Sequence, residues 1–274
     1  MEYVKVYTAD NHWQHIEVLK RNRKKRSAYG RFFVEGVRAV NQMAAHNWRV
    51  YAWIYADGRR LSTWAQDILS KVPSEKHFIL APELMEQLSD KEDTSELLAL
   101  VVQPDDDLAR IPLSERPLLV VCDRPTSPGN LGTIMRSCDS FRVDGLIVTG
   151  HSADIYDPAA IRASVGSLFS LPTIRVPSYK ELLPWIEKLR TEHPDLQLVG
   201  TTARTDHNLE DCNFTRPTIL FMGNETLGLS ASLKELCNSL VRIPIHGTAS
   251  SLNVGCAASI CLYEVDRQRR MASL

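Results

Sequence analysis

Apolar and polar positions along this chain recur in two periods, one suited to short strands and one to amphipathic helices. The spacing predicts an opening helix from His12 to about Ser27, ending in the run Lys20-Arg21-Asn22-Arg23-Lys24-Lys25-Arg26. Phe32-Phe33-Val34 reads as a strand, Ala39 to His46 as a helix, and Val50 to Tyr55 as a second strand. Ser62 to Ser70 follows as a helix, His77 to Leu80 as a third strand and Leu97 to Val102 as a fourth. This describes a small α/β domain. Gln103-Pro104-Asp105-Asp106-Asp107 then breaks the pattern with a proline and three like charges that repel and stay hydrated, which marks a linker. The expected domains are therefore 1–106 and 107–274. Beyond the linker, apolar runs of strand length fall at Leu118–Cys122, Gly145–Val148, Leu196–Gly200, Thr218–Met222 and Val241–Ile245. The stretches between them can hold helices, as a parallel-sheet α/β domain requires.

Composition narrows the class of protein. Apolar residues make up 44% of the 274 and charged residues 24%, ordinary for a soluble globular chain. No apolar run approaches the ~20 residues needed to span a bilayer. Met1 to Asp10 is polar where a signal peptide needs an apolar core, so a cytoplasmic protein is expected. The six cysteines form no CxxC pair and no histidine cluster has zinc-ligand spacing, so buried reduced thiols are expected, with neither metal nor disulfide. The net charge of −1 hides an asymmetry: residues 1–50 carry ten Lys or Arg against four Asp or Glu. A solvated helix end would account for two or three cations at its negative pole, but hardly for Lys20, Arg21, Arg23, Lys24, Lys25 and Arg26 together. These six are expected to meet RNA phosphates.

Ligands of open parallel sheets bind beyond the carboxyl ends of the strands, so the segments after each apolar run carry the chemistry. Leu118–Cys122 is followed by Pro128-Gly129-Asn130-Leu131-Gly132 and then Arg136. Taken alone, Asn130 could be a helix cap and Arg136 a surface cation. Thr218–Met222 is followed by Gly223-Asn224-Glu225 and Gly228-Leu229-Ser230, with Ser232 and Glu235 spaced as a capping box. Val241–Ile245 is followed by Gly247-Thr248-Ala249-Ser250-Ser251-Leu252-Asn253 and a helix from Val254 to about Arg270.

In this order the three loops resemble the SpoU/TrmH (SPOUT) RNA 2′-O-ribose methyltransferases, over somewhat more than half the chain, Leu118 to Arg270. Ser250 to Arg270 and the α/β N-terminal part look most like bacterial 23S rRNA 2′-O-methyltransferases, whose additional domain is similar to an L30e fold. Three positions depart from the family pattern: Gly255 where Ser or another small residue is usual, Ser127 where Asp is frequent, and Arg142 where Gly is common. The resemblance implies a trefoil knot, S-adenosylmethionine as the cofactor, and a homodimer through the C-terminal domain that completes each site. By the same resemblance Thr201, Gly223, Ile243 and Leu252 would hold S-adenosylmethionine largely through backbone contacts. By the resemblance Arg136 is also the candidate for activating the ribose hydroxyl. As a base it would need an unusual pKa, because a guanidinium is effectively always protonated; the preferred role is electrostatic stabiliser of the emerging alkoxide. Asn130, Glu225, Ser251 and Asn253 would orient Arg136, substrate and donor, with Glu225 paired to a cation.

Two other classes compete. A dehydrogenase or kinase would carry GxGxxG or GxxxxGK[ST] after its first strand, and neither occurs. A catalytically silent RNA-binding ribosome-assembly factor could use the same scaffold, although Arg136, Glu225, Ser251 and Asn253 are all present. Between rRNA and tRNA the residues leave the choice open, with rRNA favoured by the resemblance.

Overall fold

The computed structural model describes residues 2–90 and 93–272. It contains two compact units, and a single cut in the sequence does not separate them. The first joins the chain up to Asp105 with Tyr156–Ser170, and the second comprises Asp106–Ile155 and the chain from Leu171 onward.

The first unit is built on a mixed sheet of five strands: β1 (Glu2–Val6), β2 (Arg31–Glu35), β3 (Val50–Ala56), β4 (Ser74–Leu80) and β5 (Leu98–Val102), in the order β1-β4-β3-β5-β2. β1 and β3 run parallel to β4, while β5 is antiparallel to both β3 and β2. Trp13, Ile16 and Leu19 project from one side of the helix Asn11–Arg21 into a core with Ile54, Phe78, Leu80 and Leu100. The segment Tyr156–Ser170 packs with this unit through its rings. Phe32 stacks on Tyr156 with centroids 4.4 Å apart, and Trp48 meets Phe169 edge-on at 5.2 Å while its Nε1 donates to the Phe169 carbonyl.

The expected helix over His12–Ser27 is two helices, Asn11–Arg21 and Arg23–Tyr29. Asn22 separates them: its extended backbone ends the first, and its side-chain oxygen accepts from the Lys25 amide to cap the second. This break turns two of the six cations inward, which corrects the expected RNA-binding set. Lys20 is buried and donates to the Leu88 carbonyl and to Asp90, each at 2.6 Å. Arg26, only 2% exposed, donates to the carbonyls of Leu19 and Lys20 and pairs with Asp157 at 3.3 Å. Arg21, Arg23, Lys24 and Lys25 remain exposed.

The second unit holds six parallel strands: β6 (Leu118–Asp123), β7 (Gly145–Thr149), β8 (Thr173–Val176), β9 (Gln197–Thr201), β10 (Thr218–Met222) and β11 (Ser239–Val241). Their order is β11-β9-β10-β6-β7-β8. Near-continuous Val, Leu and Ile in β6, β7 and β10 matches their complete burial. β11 stops at Val241, where the sequence places its start, and Pro244 further on has no N–H with which to extend a ladder. β1 and β8, together with the helix Pro82–Leu88, are additions to the elements read from the sequence. The expected capping box also shifts, since the helix Ala231–Leu236 has Ser230 at its N-cap rather than Ser232. Asp106 in the expected linker is tied down as well, accepting from the Arg175 amide and guanidinium. Among the described residues no helix is long and apolar enough to cross a membrane.

Replacing Arg26 by Ala should destabilise the protein by about 2–4 kcal/mol, because two buried carbonyls and Asp157 lose their donor. Lys24→Ala should change stability by no more than about 0.5 kcal/mol. Urea unfolding of the two variants measures the contrast.

Candidate active site

Strand register brings the three loops together. Met222 of β10 lies beside Cys122 of β6, Phe221 beside Gly200 of β9, and Val241 of β11 beside Thr201. Parallel strands end on the same side, so the segments that follow β6, β10 and β11 emerge at one rim of the sheet.

The loop after β10 is folded by its own residues. A Cβ on Gly223 would come within 2.4 Å of the Leu229 amide nitrogen, so the chain can double back only over glycine. Asn224 and Gly228 exchange both backbone hydrogen bonds across the turn. The buried Asn224 side chain accepts from the amides of Thr226 and Leu227, and donates to the Arg124 carbonyl at 2.7 Å. Asp123, also buried, accepts from the Ser230 amide and from Arg124 Nε and Nη2. Arg124 takes a left-handed backbone, φ 52°, as it does so. Asn224, Asp123 and Arg124 thus hold two of the loops against each other. Asn224 was read only as part of the Gly223-Asn224-Glu225 motif, and the other two went unassigned, because Asp123 closes an apolar strand and Arg124 has no spacing that marks it.

Glu225 is the centre of the arrangement. Its carboxylate accepts from Thr126 N and Oγ1 at 2.9 Å, from Ser127 N at 3.0 Å and from Asn130 Nδ2 at 3.2 Å. Burial opposes its ionisation, but the amides of Thr126, Glu225 itself and Ser127, with the Asn130 side chain, outweigh it and hold the carboxyl down at about 2. The expected cation partner is replaced by these neutral donors. The arrangement continues outward, for Asn253 Nδ2 donates to Asn130 Oδ1 at 2.9 Å. Asn253 Oδ1 in turn caps the helix Val254–Met271, accepting from Gly255 and Cys256 N–H. One chain of side chains therefore links all three loops.

The remaining expected residues sit outside that chain. Arg136 is on the exposed side of the helix Pro128–Ser140, without a carboxylate partner among the described residues. Ser251 is exposed in the loop before Asn253. Thr201 ends β9, with its hydroxyl donating to the Phe221 carbonyl at 3.1 Å, and half-buried Gly223 and Ile243 follow the two neighbouring strands. Leu252 is 40% exposed. From Ile243 to Leu252 the backbone N–H and C=O groups have no hydrogen-bond partner among the described residues. A segment of this kind can offer main-chain donors and acceptors to a ligand. Among the described residues no group of three or more His, Cys, Asp or Glu could hold a metal ion.

The departures from the family pattern acquire local explanations. Ser127 caps the helix Pro128–Ser140 through Oγ, the task an aspartate would perform. A Cβ on Gly255 would meet Thr133 Cγ2 at 2.9 Å, so the two helices approach more closely there with glycine. Arg142 has φ 53°, a conformation natural to the glycine it replaces.

Parallel strands ending in three mutually bonded polar loops define an α/β domain with a composite candidate site at its sheet rim. The chain belongs to the SpoU rRNA methylase family, whose model matches residues 117–263, and residues 10–99 match the SpoU L30e-like domain. It is 46% identical over 258 residues to a 23S rRNA (uridine(2479)-2′-O)-methyltransferase of Streptomyces viridochromogenes, covering 94% of this chain and 90% of that one. The structure of the SpoU methyltransferase AviRb from the same organism, in complex with AdoMet, superposes with a TM-score of 0.90 at 46% identity, covering 95% and 98% of the two chains. An AdoMet-bound rRNA methyltransferase from Sinorhizobium meliloti gives a TM-score of 0.84 at 25% identity, covering 97% of this chain and 98% of that one.

Because its folded pKa is depressed, Glu225 stabilises the folded state fully above its unfolded value near 4.5, and that contribution is lost as pH falls toward about 2. Carboxyl NMR titration should place its midpoint near 2, and Glu225→Gln should flatten the acid dependence of unfolding within that window only. A midpoint near 4.5 would show that the clasp does not hold in solution.

Proposed function

We propose that this protein transfers a methyl group from S-adenosylmethionine to a ribose 2′-hydroxyl of 23S rRNA. The observation that carries the reading is the continuous chain Glu225–Asn130–Asn253, which joins the three family loops at one sheet rim. The relatives named above supply the donor and the RNA class. When bound, the donor supplies an electrophilic methyl group on a sulfonium. Thr201, Gly223, Ile243 and Leu252 would hold it, and the unpaired main chain from Ile243 to Leu252 suits a ligand gripped by backbone groups.

In the reaction the ribose oxygen bonds to the methyl carbon as the carbon–sulfur bond breaks, and the hydroxyl proton must leave. Glu225 does not take that proton. A carboxyl held at about 2, with its oxygens already accepting four hydrogen bonds, is too weak a base at neutral pH. Its role is positional: it fixes Asn130, and through it Asn253, at the head of the C-terminal helix. Arg136 supplies positive charge to the developing alkoxide from a side chain that pairs with no carboxylate among the described residues. Ser251 orients the substrate from the same exposed loop.

The same reading includes a trefoil threading and a homodimer through the C-terminal domain. The helix Val254–Met271 follows edge strand β11, yet it packs beside Pro128–Ser140, which follows β6 three strands away; Ser137 Oγ and Ser259 Oγ are 2.7 Å apart. Its Ile260 and Tyr263 remain 40% and 53% exposed, apolar surface suited to a second copy. An rRNA substrate would put the protein in the cytoplasm. Residues 1–106 would serve RNA binding and 107–274 the transfer, with Arg21, Arg23, Lys24 and Lys25 supplying phosphate contacts.

Three experiments test this. Once the methylated nucleotide is mapped, its 2′-deoxy counterpart should accept no methyl group, and a methyl appearing on its base would refute ribose transfer. Arg136→Ala should lower single-turnover methylation by about 10²–10³-fold, with donor affinity by calorimetry unchanged. Full turnover in that variant would remove Arg136 from the chemistry. Light scattering of the full chain should report a dimer, and a fully active monomer would contradict the shared site.

A further inference from the structure

The first unit carries a cluster of rings and cations that the transfer chemistry does not use. Tyr29 ends the helix Arg23–Tyr29 and is 45% exposed. Gly30 follows with φ 59°, a left-handed cap that turns the chain directly into β2, so Arg31 emerges two residues after Tyr29. Gln103 locks this turn, its amide donating to the Gly30 carbonyl and its side chain to the carbonyls of Arg26 and Arg31. His15 meets the Tyr29 ring edge-on with centroids 4.6 Å apart, and Lys25 Nζ lies over that ring at 5.8 Å. Arg31 stacks on Tyr51, its guanidinium carbon 3.3 Å from the ring centroid, and has no carboxylate partner among the described residues. Burial, and then the charges of Arg31, His12 and Lys76, hold the His15 pKa below its usual value, which favours a neutral ring at pH 7.

A solvated cationic patch would not need three rings, and an apolar core would not leave Tyr29 exposed. Rings interleaved with cations that pair with no carboxylate among the described residues match the chemistry of unpaired RNA, whose bases offer flat faces and whose backbone offers negative charge. We infer that Tyr29, His15 and the guanidinium plane of Arg31 form a stacking site for unpaired RNA bases, with Lys24 and Lys25 meeting the adjoining phosphates. The inference rests on the proposed RNA substrate and adds to it the form in which the first unit takes that RNA, as a splayed single-stranded segment. Arg31, already held flat by Tyr51, loses little freedom when a base covers its other face.

Fluorescence anisotropy of the full chain with a short oligouridine, and with an abasic RNA of the same length, tests this. The wild type should bind oligouridine more tightly than abasic RNA. Tyr29→Ala should lose roughly tenfold in affinity for oligouridine, keep its salt dependence, and no longer distinguish the two RNAs. Tyr29→Phe should bind like the wild type, which shows that the ring and not its hydroxyl is needed, and an unchanged affinity of Tyr29→Ala for abasic RNA excludes misfolding as the cause. Arg31→Lys should weaken binding severalfold at unchanged charge. Equal wild-type affinity for the two RNAs, or wild-type affinity in Tyr29→Ala, would overturn the inference. Methyl transfer to total ribosomal RNA by the wild type, measured in parallel, separates this from the proposed function. Transfer without ring dependence leaves the function standing and removes the stacking site. Ring dependence without transfer does the reverse.

Discussion

The second unit's site depends on the clasp between the Glu225 carboxylate and the amides of Thr126 and Ser127. A tight turn after β10 presents an anion, and the entry to the helix after β6 presents free N–H groups. Helix N-termini leave such donors unsatisfied, and a carboxylate is the natural acceptor for them. The two loops are about 100 residues apart in sequence, so neither can be positioned by local structure alone. Removing the carboxylate would leave the amides without their acceptor and Asn130 without its anchor. Asn253 would then lose the partner that ties the C-terminal helix to the other loops.

Parallel β-structure makes the clasp possible at low cost. In register, β6 and β10 place Cys122 and Met222 side by side, so the residues just beyond them are neighbours before any side chain acts. The polar contacts therefore refine a convergence that apolar burial has already imposed. Asn224 and Asp123 act in the same way, each tying one loop to the other through backbone groups. The close doubling of the chain at Gly223 completes the turn that aims Glu225.

Much of this was legible in the sequence, and the parts that were not have physical reasons. The long apolar runs gave β6, β7, β9 and β10 to within a residue or two, because fully buried strands can be little else. β1 escaped notice because its exposed residues are charged or aromatic and only Val6 is buried. β8 is four residues long, too short for a period to register. Asn130, Glu225 and Asn253 were recognisable by motif, yet the partner of Glu225 was not. A carboxylate in a polar loop suggests a cation, and backbone amides leave no trace in a list of side chains. The place of Tyr156–Ser170 in the first unit was equally hidden, since an amphipathic stretch between two strands does not say which sheet it covers.

The basic run shows why charge counted along a sequence overstates charge offered to a partner. Six cations in seven residues invite a purely electrostatic reading, but a helix break at Asn22 sends Lys20 and Arg26 into the interior. There they satisfy carbonyls and pair with Asp90 and Asp157. Four cations remain at the surface, and one of them, Lys25, lies over the exposed ring of Tyr29. Charge alone attracts any polyanion and falls steeply with salt, whereas a flat ring beside it distinguishes unpaired bases from a closed duplex. The selectivity of the first unit would then come less from the number of its cations than from the few rings they surround. The clasp of the second unit draws its strength from neutral amides in a similar way, so that in both units the full charges depend on uncharged groups to give them direction.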